Sequence, residues 1–160
     1  MFKKVISKNA DAALALNAAL RFLTRREYSY YELKSKLLER FTIDAAQQAL
    51  DKCIQENWQS DARYAQMLVR HCSFSKYGIL KLQVLCKQKH VDFDLCKTEC
   101  DEINWEDLAL SALQKKYGEN YTLDYNEKRK ALNFLYRRGF LPAQCIQALK
   151  LFESAPYNNV

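Results

Sequence analysis

Glycine and proline interrupt regular backbone most readily, and this chain has only three glycines and two prolines among its 160 residues. So few breakers, with abundant Leu, Ala, Lys, Gln and Glu, predict helices joined by short turns. No alternating β-branched run is long enough to argue for a sheet. Hydrophobic residues make up 49% of the chain, enough to fold rather than to stay disordered. The expected class is all-α, and the length suits one ordinary domain or an elongated array of small units.

Cap signals divide the chain. Residues 1–10 read as a flexible lead-in, followed by a helix from Asp11 to Arg25 with Leu16, Leu20 and Leu23 on one face and Ala13 and Ala19 beside it. Ser29-Tyr-Tyr-Glu32 has the spacing of a capping box, in which Ser29 caps forward and Glu32 reaches back. The next helix turns Leu33 and Leu37 inward. After a break at Phe41-Thr42, a third carries Ala46, Ala49, Leu50, Cys53 and Ile54. Ser60 is a good N-cap for a helix whose Tyr64, Met67, Leu68 and Cys72 form one apolar face, with Arg63 and Arg70 as a basic stripe beside it. Helices at about 77–88 and 92–101 follow, the first with Leu82 and Leu85 inward and the second with Phe93, Cys96 and Cys100 on one side. Asn104 and Asp124 are further caps, the latter box-like with Glu127. The Asn104 helix directs Leu108, Ala112 and Leu113 inward, and the Asp124 helix directs Leu132 and Leu135. Tyr117-Gly118 and Gly139 are stops, and Pro142 sits in the first turn of the last helix.

The break after each second helix falls at Phe41, His90 and Gly139, 49 residues apart each time, and a basic residue precedes each one: Arg40, Lys89 and Arg138. That spacing predicts three tandem three-helix repeats, over 11–58, 59–102 and 103–153, with 154–160 as a tail.

No enzyme signature is present. The glycines are too scattered for a phosphate-cradling loop, and His71 and His90 sit in no metal-binding frame. Six cysteines without a Cys-x-x-Cys pair read as buried structural thiols rather than disulfides or metal ligands, in keeping with a reducing cytoplasm. No metal, cofactor, signal peptide or membrane span is expected. The net charge of +6 attracts polyanions or an acidic protein surface, or is simply a solvated basic surface. The candidate contact residues are Arg25, Arg26, Lys34, Arg63, Arg70, Lys76, Lys81, Arg137 and Arg138, interleaved with tyrosines as in interface hot spots.

Arg25-Arg-Glu-Tyr-Ser29-Tyr-Tyr-Glu-Leu33, Ser60-Asp-Ala-Arg63-Tyr-Ala65, Tyr77-Gly78-Ile-Leu-Lys81-Leu82, Lys116-Tyr-Gly118 and Phe134-Leu-Tyr-Arg137-Arg-Gly139-Phe140 resemble, in order and spacing, the signatures of the bacterial RecX regulators. The chain departs from that pattern at Gln59-Ser60-Asp61, where Leu-Asp-Asp is usual, and at Phe41 and His90, where a glycine is usual. The resemblance spans residues 12–152 and implies a cytoplasmic, monomeric, non-enzymatic negative regulator. Its implied partner is the RecA–DNA filament, whose growth, ATP hydrolysis, strand exchange and co-protease activity it limits, with single- or double-stranded DNA as a further partner. The rival reading is a helical nucleic-acid-binding module that acts by competing for DNA. RecX proteins belong to the SOS response, DNA repair and homologous recombination.

Overall fold

The computed structural model describes residues 7–118 and 122–154. Among them are nine α-helices and one 3-10 turn: α1 (Ala12–Leu23), α2 (Tyr30–Leu38), α3 (Ile43–Gln55), α4 (Asp61–Ser75), α5 (Ile79–Gln88), the 3-10 turn (Phe93–Cys96), α6 (Lys97–Asp101), α7 (Trp105–Tyr117), α8 (Tyr125–Arg137) and α9 (Pro142–Ser154). They form two compact units, Met1–Ala65 with Lys89–Asp92, and Gln66–Gln88 with Phe93–Val160. The division falls inside α4, after Ala65.

The helix starts follow local side-chain chemistry. The Asp11 carboxylate accepts from the Ala13 and Leu14 amides at 2.8 and 3.1 Å. Thr42, Ser60 and Asn104 cap α3, α4 and α7 through their side-chain oxygens. Asp124 and Glu127 form a complete reciprocal box at the start of α8. At Ser29 the box is only half made. The hydroxyl caps Glu32 N–H at 3.1 Å, but the Glu32 carboxylate is taken by distant cations.

In the first unit α1 lies on α3 through small residues: Ala15, Ala19, Ala45, Ala46 and Ala49 are all buried, and the lack of side-chain bulk lets the two backbones approach closely. Leu33, Leu37 and Leu50, each fully buried, fill the rest, and trimming one to alanine costs about 2–5 kcal/mol. Two expected positions shift. Ala13 is exposed and Ala15 takes the contact, while Ile54 is 46% exposed because α3 turns Ala45 inward in its first turn. Residue Asn9 is pinned by two backbone bonds, donating to the Arg40 carbonyl and accepting from Thr42 N–H, both at 2.9 Å.

In the second unit α7, α8 and α9 bury Ala109, Ala112, Leu113, Leu135, Cys145, Ala148 and Phe152. The expected inward positions move by one residue twice: Ala109 is buried where Leu108 is half-buried, and Cys86 where Leu85 is half-buried. Cys72, Cys86 and Cys96 are also fully buried, with the Cys86 and Cys96 sulfurs 3.6 Å apart. Burial and the neighbouring thiols push the Cys72 thiol up to about 12, which makes it a packing group and not a nucleophile.

The 49-residue spacing acquires a physical meaning. In the first unit the Ser29 hydroxyl donates to the Lys89 carbonyl at 2.9 Å. In the second, Gly78 N–H donates to the Arg138 carbonyl at 2.9 Å, and Leu80 N–H donates to the Gly139 carbonyl at 3.0 Å. Ser29 and Gly78 are one repeat apart, and so are Lys89 and Arg138. The start of one second helix therefore docks on the end of the next, twice, by the same register. His90 and Gly139 both take positive φ, 53° and 88°, so the turn keeps its left-handed form even where histidine replaces glycine. Phe41 has no such φ; it is buried and bridges to Asn9.

Glu32 holds the first of these junctions together. Its carboxylate accepts from Arg26 at 3.0 and 3.2 Å and from Lys89 at 2.8 Å. Burial alone would raise its pKa, but the hydrogen bonds and charges of Arg26 and Lys89 outweigh that and hold it below the usual carboxylate value. Tyr64 lies under the same group, and burial together with the Glu32 charge pushes its phenol up to about 12. Arg26 also stacks 3.6 Å over the Tyr28 ring, and Tyr31 stacks on His90 at 3.7 Å.

Two predictions follow the two junctions. A methyl at Gly78 would collide with the Gly139 carbonyl carbon and oxygen, rigid backbone that cannot readily yield. Gly78→Ala should therefore cost about 2 kcal/mol or more in urea unfolding. Glu32 has a depressed pKa in the folded state, so its stabilisation is complete above the unfolded carboxylate pKa and is lost as pH falls through the folded one. Unfolding free energy should drop between about pH 5 and pH 3 more steeply in the wild type than in Glu32→Gln. That variant should lose about 1–2 kcal/mol at neutral pH.

Candidate partner-binding surface

The nine expected contact cations separate by what already holds them. In the first unit Arg26 is bound to Glu32, and Arg63 is fully engaged: Nε donates to Glu27 at 2.8 Å, Nη1 to the Asn57 side chain at 3.0 Å and Nη2 to the Trp58 carbonyl at 3.0 Å. Arg63 thereby clasps the turn between α3 and α4, where Asn57 takes a φ of 56°. The rest of that motif is structural as well. Asp61 accepts from Tyr30 N–H and from the buried Gln59 amide, and Ala65 is wholly buried. Lys34 donates weakly to Gln47 at 3.4 Å and lies over Tyr30, while Arg25 is exposed.

In the second unit Arg70 is exposed on α4, and Lys76, at a φ of 55°, donates to the Ser111 hydroxyl. Lys81, Arg137 and Arg138 come together with two further lysines, Lys116 and Lys130, that are not among the nine. Lys81 lies 5.7 Å from the Tyr77 ring centre and Arg138 4.9 Å from it. Arg138 is also 5.1 Å from the Phe134 ring, over which Lys116 sits at 4.3 Å. Beside them, Lys116, Lys130, Asn133, Tyr136 and Arg137 line an open hollow. The helical spacing of α8 produces this, since Lys130, Asn133 and Arg137 recur at three- and four-residue steps and share a face.

The charge balance of this surface differs from that of the first unit. Among the described residues, ion pairs engage Arg26, Lys36, Lys52, Arg63, Lys89, Lys97 and Lys128, and none engages Lys81, Lys116, Lys130, Arg137 or Arg138. Five cations thus share one aromatic-backed face without a paired carboxylate. Arg138 Nε is buried with no hydrogen-bond partner among the described residues, an arrangement that costs roughly 1–3 kcal/mol. The surface suits a negatively charged partner with apolar or planar groups. Among the described residues no three His, Cys, Asp or Glu side chains converge to hold a metal ion, and no helix is long and apolar enough to cross a membrane.

Comparison with known proteins agrees in sequence and in fold. Residues 15–53 match the family model for the first three-helix domain of RecX, and residues 105–149 match that for the third. The regulatory protein RecX of Legionella pneumophila (strain Corby) is 38% identical over 129 residues, covering 79% of this chain and 86% of that protein. RecX of Xanthomonas oryzae pv. oryzae (strain MAFF 311018) is 37% identical over 125 residues, covering 76% and 78%. The crystal structure of RecX from Lactobacillus salivarius shares the fold with a TM-score of 0.76 at 19% identity, covering 89% of this chain and 97% of that one. A second RecX crystal structure gives 0.74 at 18% identity, covering 87% and 73%. Matched by the models of two of its three-helix domains and by relatives more than a third identical over most of their length, the chain belongs to the RecX family of regulatory proteins.

Proposed function

We propose that this RecX-type regulator binds the RecA–DNA filament and limits its growth, ATP hydrolysis, strand exchange and co-protease activity. It would do so in the cytoplasm as a monomer and without catalysing a reaction, during recombination, DNA repair and the SOS response. The observation that carries this reading is the unpaired cationic face of Lys81, Lys116, Lys130, Arg137 and Arg138 against Tyr77, Phe134 and Tyr136. Arg and Tyr in such surroundings are the residue types that dominate protein interfaces. Arg25, Arg70, Lys76 and Lys34 add peripheral charge that speeds encounter. Arg26 and Arg63 serve indirectly by holding the first unit in shape.

A second reading has its own support. The hollow formed by Lys116, Lys130 and Arg137 beside Tyr136 also fits a nucleic-acid strand, with phosphates on the cations and a base on the ring. A protein acting by competition for DNA would bind bare DNA tightly, with an affinity falling steeply as salt rises.

RecA ATPase on single-stranded DNA separates the two. The wild-type protein should inhibit at well below one molecule per RecA protomer, and a Lys116→Ala, Lys130→Ala, Arg137→Ala triple variant should need about 10-fold more protein for the same effect. Affinity for bare DNA at about 0.15 M salt should be weaker than for the filament. Absence of inhibition at substoichiometric protein, or equal affinity for filament and bare DNA, would refute the filament reading.

A further inference from the structure

The two junctions share a register but differ in one charge. Glu32 and Lys81 are 49 residues apart, as are Lys89 and Arg138, so Lys81 occupies the repeat position of Glu32. In the first junction the Glu32 carboxylate bridges Lys89 and Arg26, and Arg26 covers the Tyr28 ring. Tyr77 stands one repeat after Tyr28, and its ring is flanked by Lys81 and Arg138. The aromatic floor and one of the two cationic positions are thus present in the second junction, where Ser75 stands one repeat after Arg26 and a lysine, Lys81, replaces the carboxylate. Neither Lys81 nor Arg138 is paired with a described carboxylate, and Arg138 Nε–H has no acceptor.

We propose that the cationic cluster formed by Lys81 and Arg138 beside the Tyr77 ring receives an aspartate or glutamate side chain from a protein partner, which supplies in trans the carboxylate that Glu32 supplies internally. The first junction is the template. It shows that this backbone frame, with an aromatic floor and a cation on the terminal residue of the second helix, accommodates a planar carboxylate at hydrogen-bond distance from two cations. The template also favours a protein over a nucleic acid, because what it accommodates is a single side-chain carboxylate held by two cations and not a continuous polyanionic backbone. Gly78 and Gly139 contribute by letting the backbones close to 2.9 Å, which fixes Arg138 beside Tyr77.

The test is Lys81→Glu, which installs the missing carboxylate in cis. The variant should unfold at a higher temperature than the wild type, because Arg138 gains a partner, while its affinity for poly-L-glutamate should fall about 10-fold. Lys36→Glu, an exposed reversal of the same charge in the first unit, controls for net charge and should leave that affinity within about 2-fold. Binding to oligodeoxythymidylate should fall less than binding to poly-L-glutamate. A lowered melting temperature, undiminished poly-L-glutamate binding, or a larger loss for the oligonucleotide would each overturn the proposal, the last by assigning the cluster to phosphate. Only a further arm, loss of RecA-filament binding by Lys81→Glu, rests on the reading under Proposed function. If the wild type fails to bind the filament, that reading falls, and the poly-L-glutamate and melting arms still decide the carboxylate site.

Discussion

The bond that ties the beginning of one second helix to the last carbonyl of the next underlies much of this architecture. Ser29 makes it with a hydroxyl and Gly78 with an amide, at the same 2.9 Å. A carbonyl at a helix end has no partner within its own helix and must find a donor or water. Meeting that need from a neighbouring helix start explains why the two sites recur at one interval. The donors differ because the approach distances differ. Serine bridges with its side chain, whereas Gly78 brings backbone against backbone, with no space left for a Cβ. Asn9 N–H supplies the corresponding donor to the Arg40 carbonyl.

Once the frame is repeated, function can diverge through single side chains. Glu32 and Lys81 stand at equivalent places and carry opposite charge, so the cations of one junction share an internal carboxylate and those of the other, among the described residues, do not. This bears on how the excess of +6 should be read. Net charge measures attraction at long range, while recognition depends on which cations remain uncommitted at short range. Arg63 shows the contrast. It looks like a contact residue on a basic stripe, yet each of its three guanidinium nitrogens donates to an acceptor within its own unit.

What was legible in the sequence is what is decided within three or four residues. The Ser60, Asn104 and Asp124 caps, the Gly139 stop and the Pro142 start all depend on residues at their own helix end. The inward faces were legible to within one or two residues. Cys86 and Ala109 replace their larger neighbours Leu85 and Leu108, and Ala15 takes the contact expected of Ala13, because a helix rotates to bring small residues to a tight crossing, and that depends on the partner helix. The capping box at Ser29 failed for a related reason. Its spacing was right, but Lys89 lies 57 residues away, and a charge-assisted bond outcompeted the local amide. Lys116 and Lys130 were visible as basic residues, but their meeting with Arg137 depends on the packing of α7 against α8.

The same reasoning explains why the family signatures are spaced as they are. Ser29, Glu32, Ser60, Asp61 and Arg63 belong to two separate motifs that meet in one polar network, with Asp61 accepting from Tyr30 N–H and Arg63 donating to Glu27. Tyr77-Gly78 and Arg138-Gly139 likewise belong to motifs far apart in the chain and form one backbone contact. A substitution in either member of such a pair leaves a buried polar group unmet or a close approach blocked, so the partners constrain each other's identity. Lys81, Lys130 and Arg137 carry no comparable internal obligation among the described residues. The physical division between a scaffold that must satisfy itself and a surface left charged for something else runs through the motifs, and not between them.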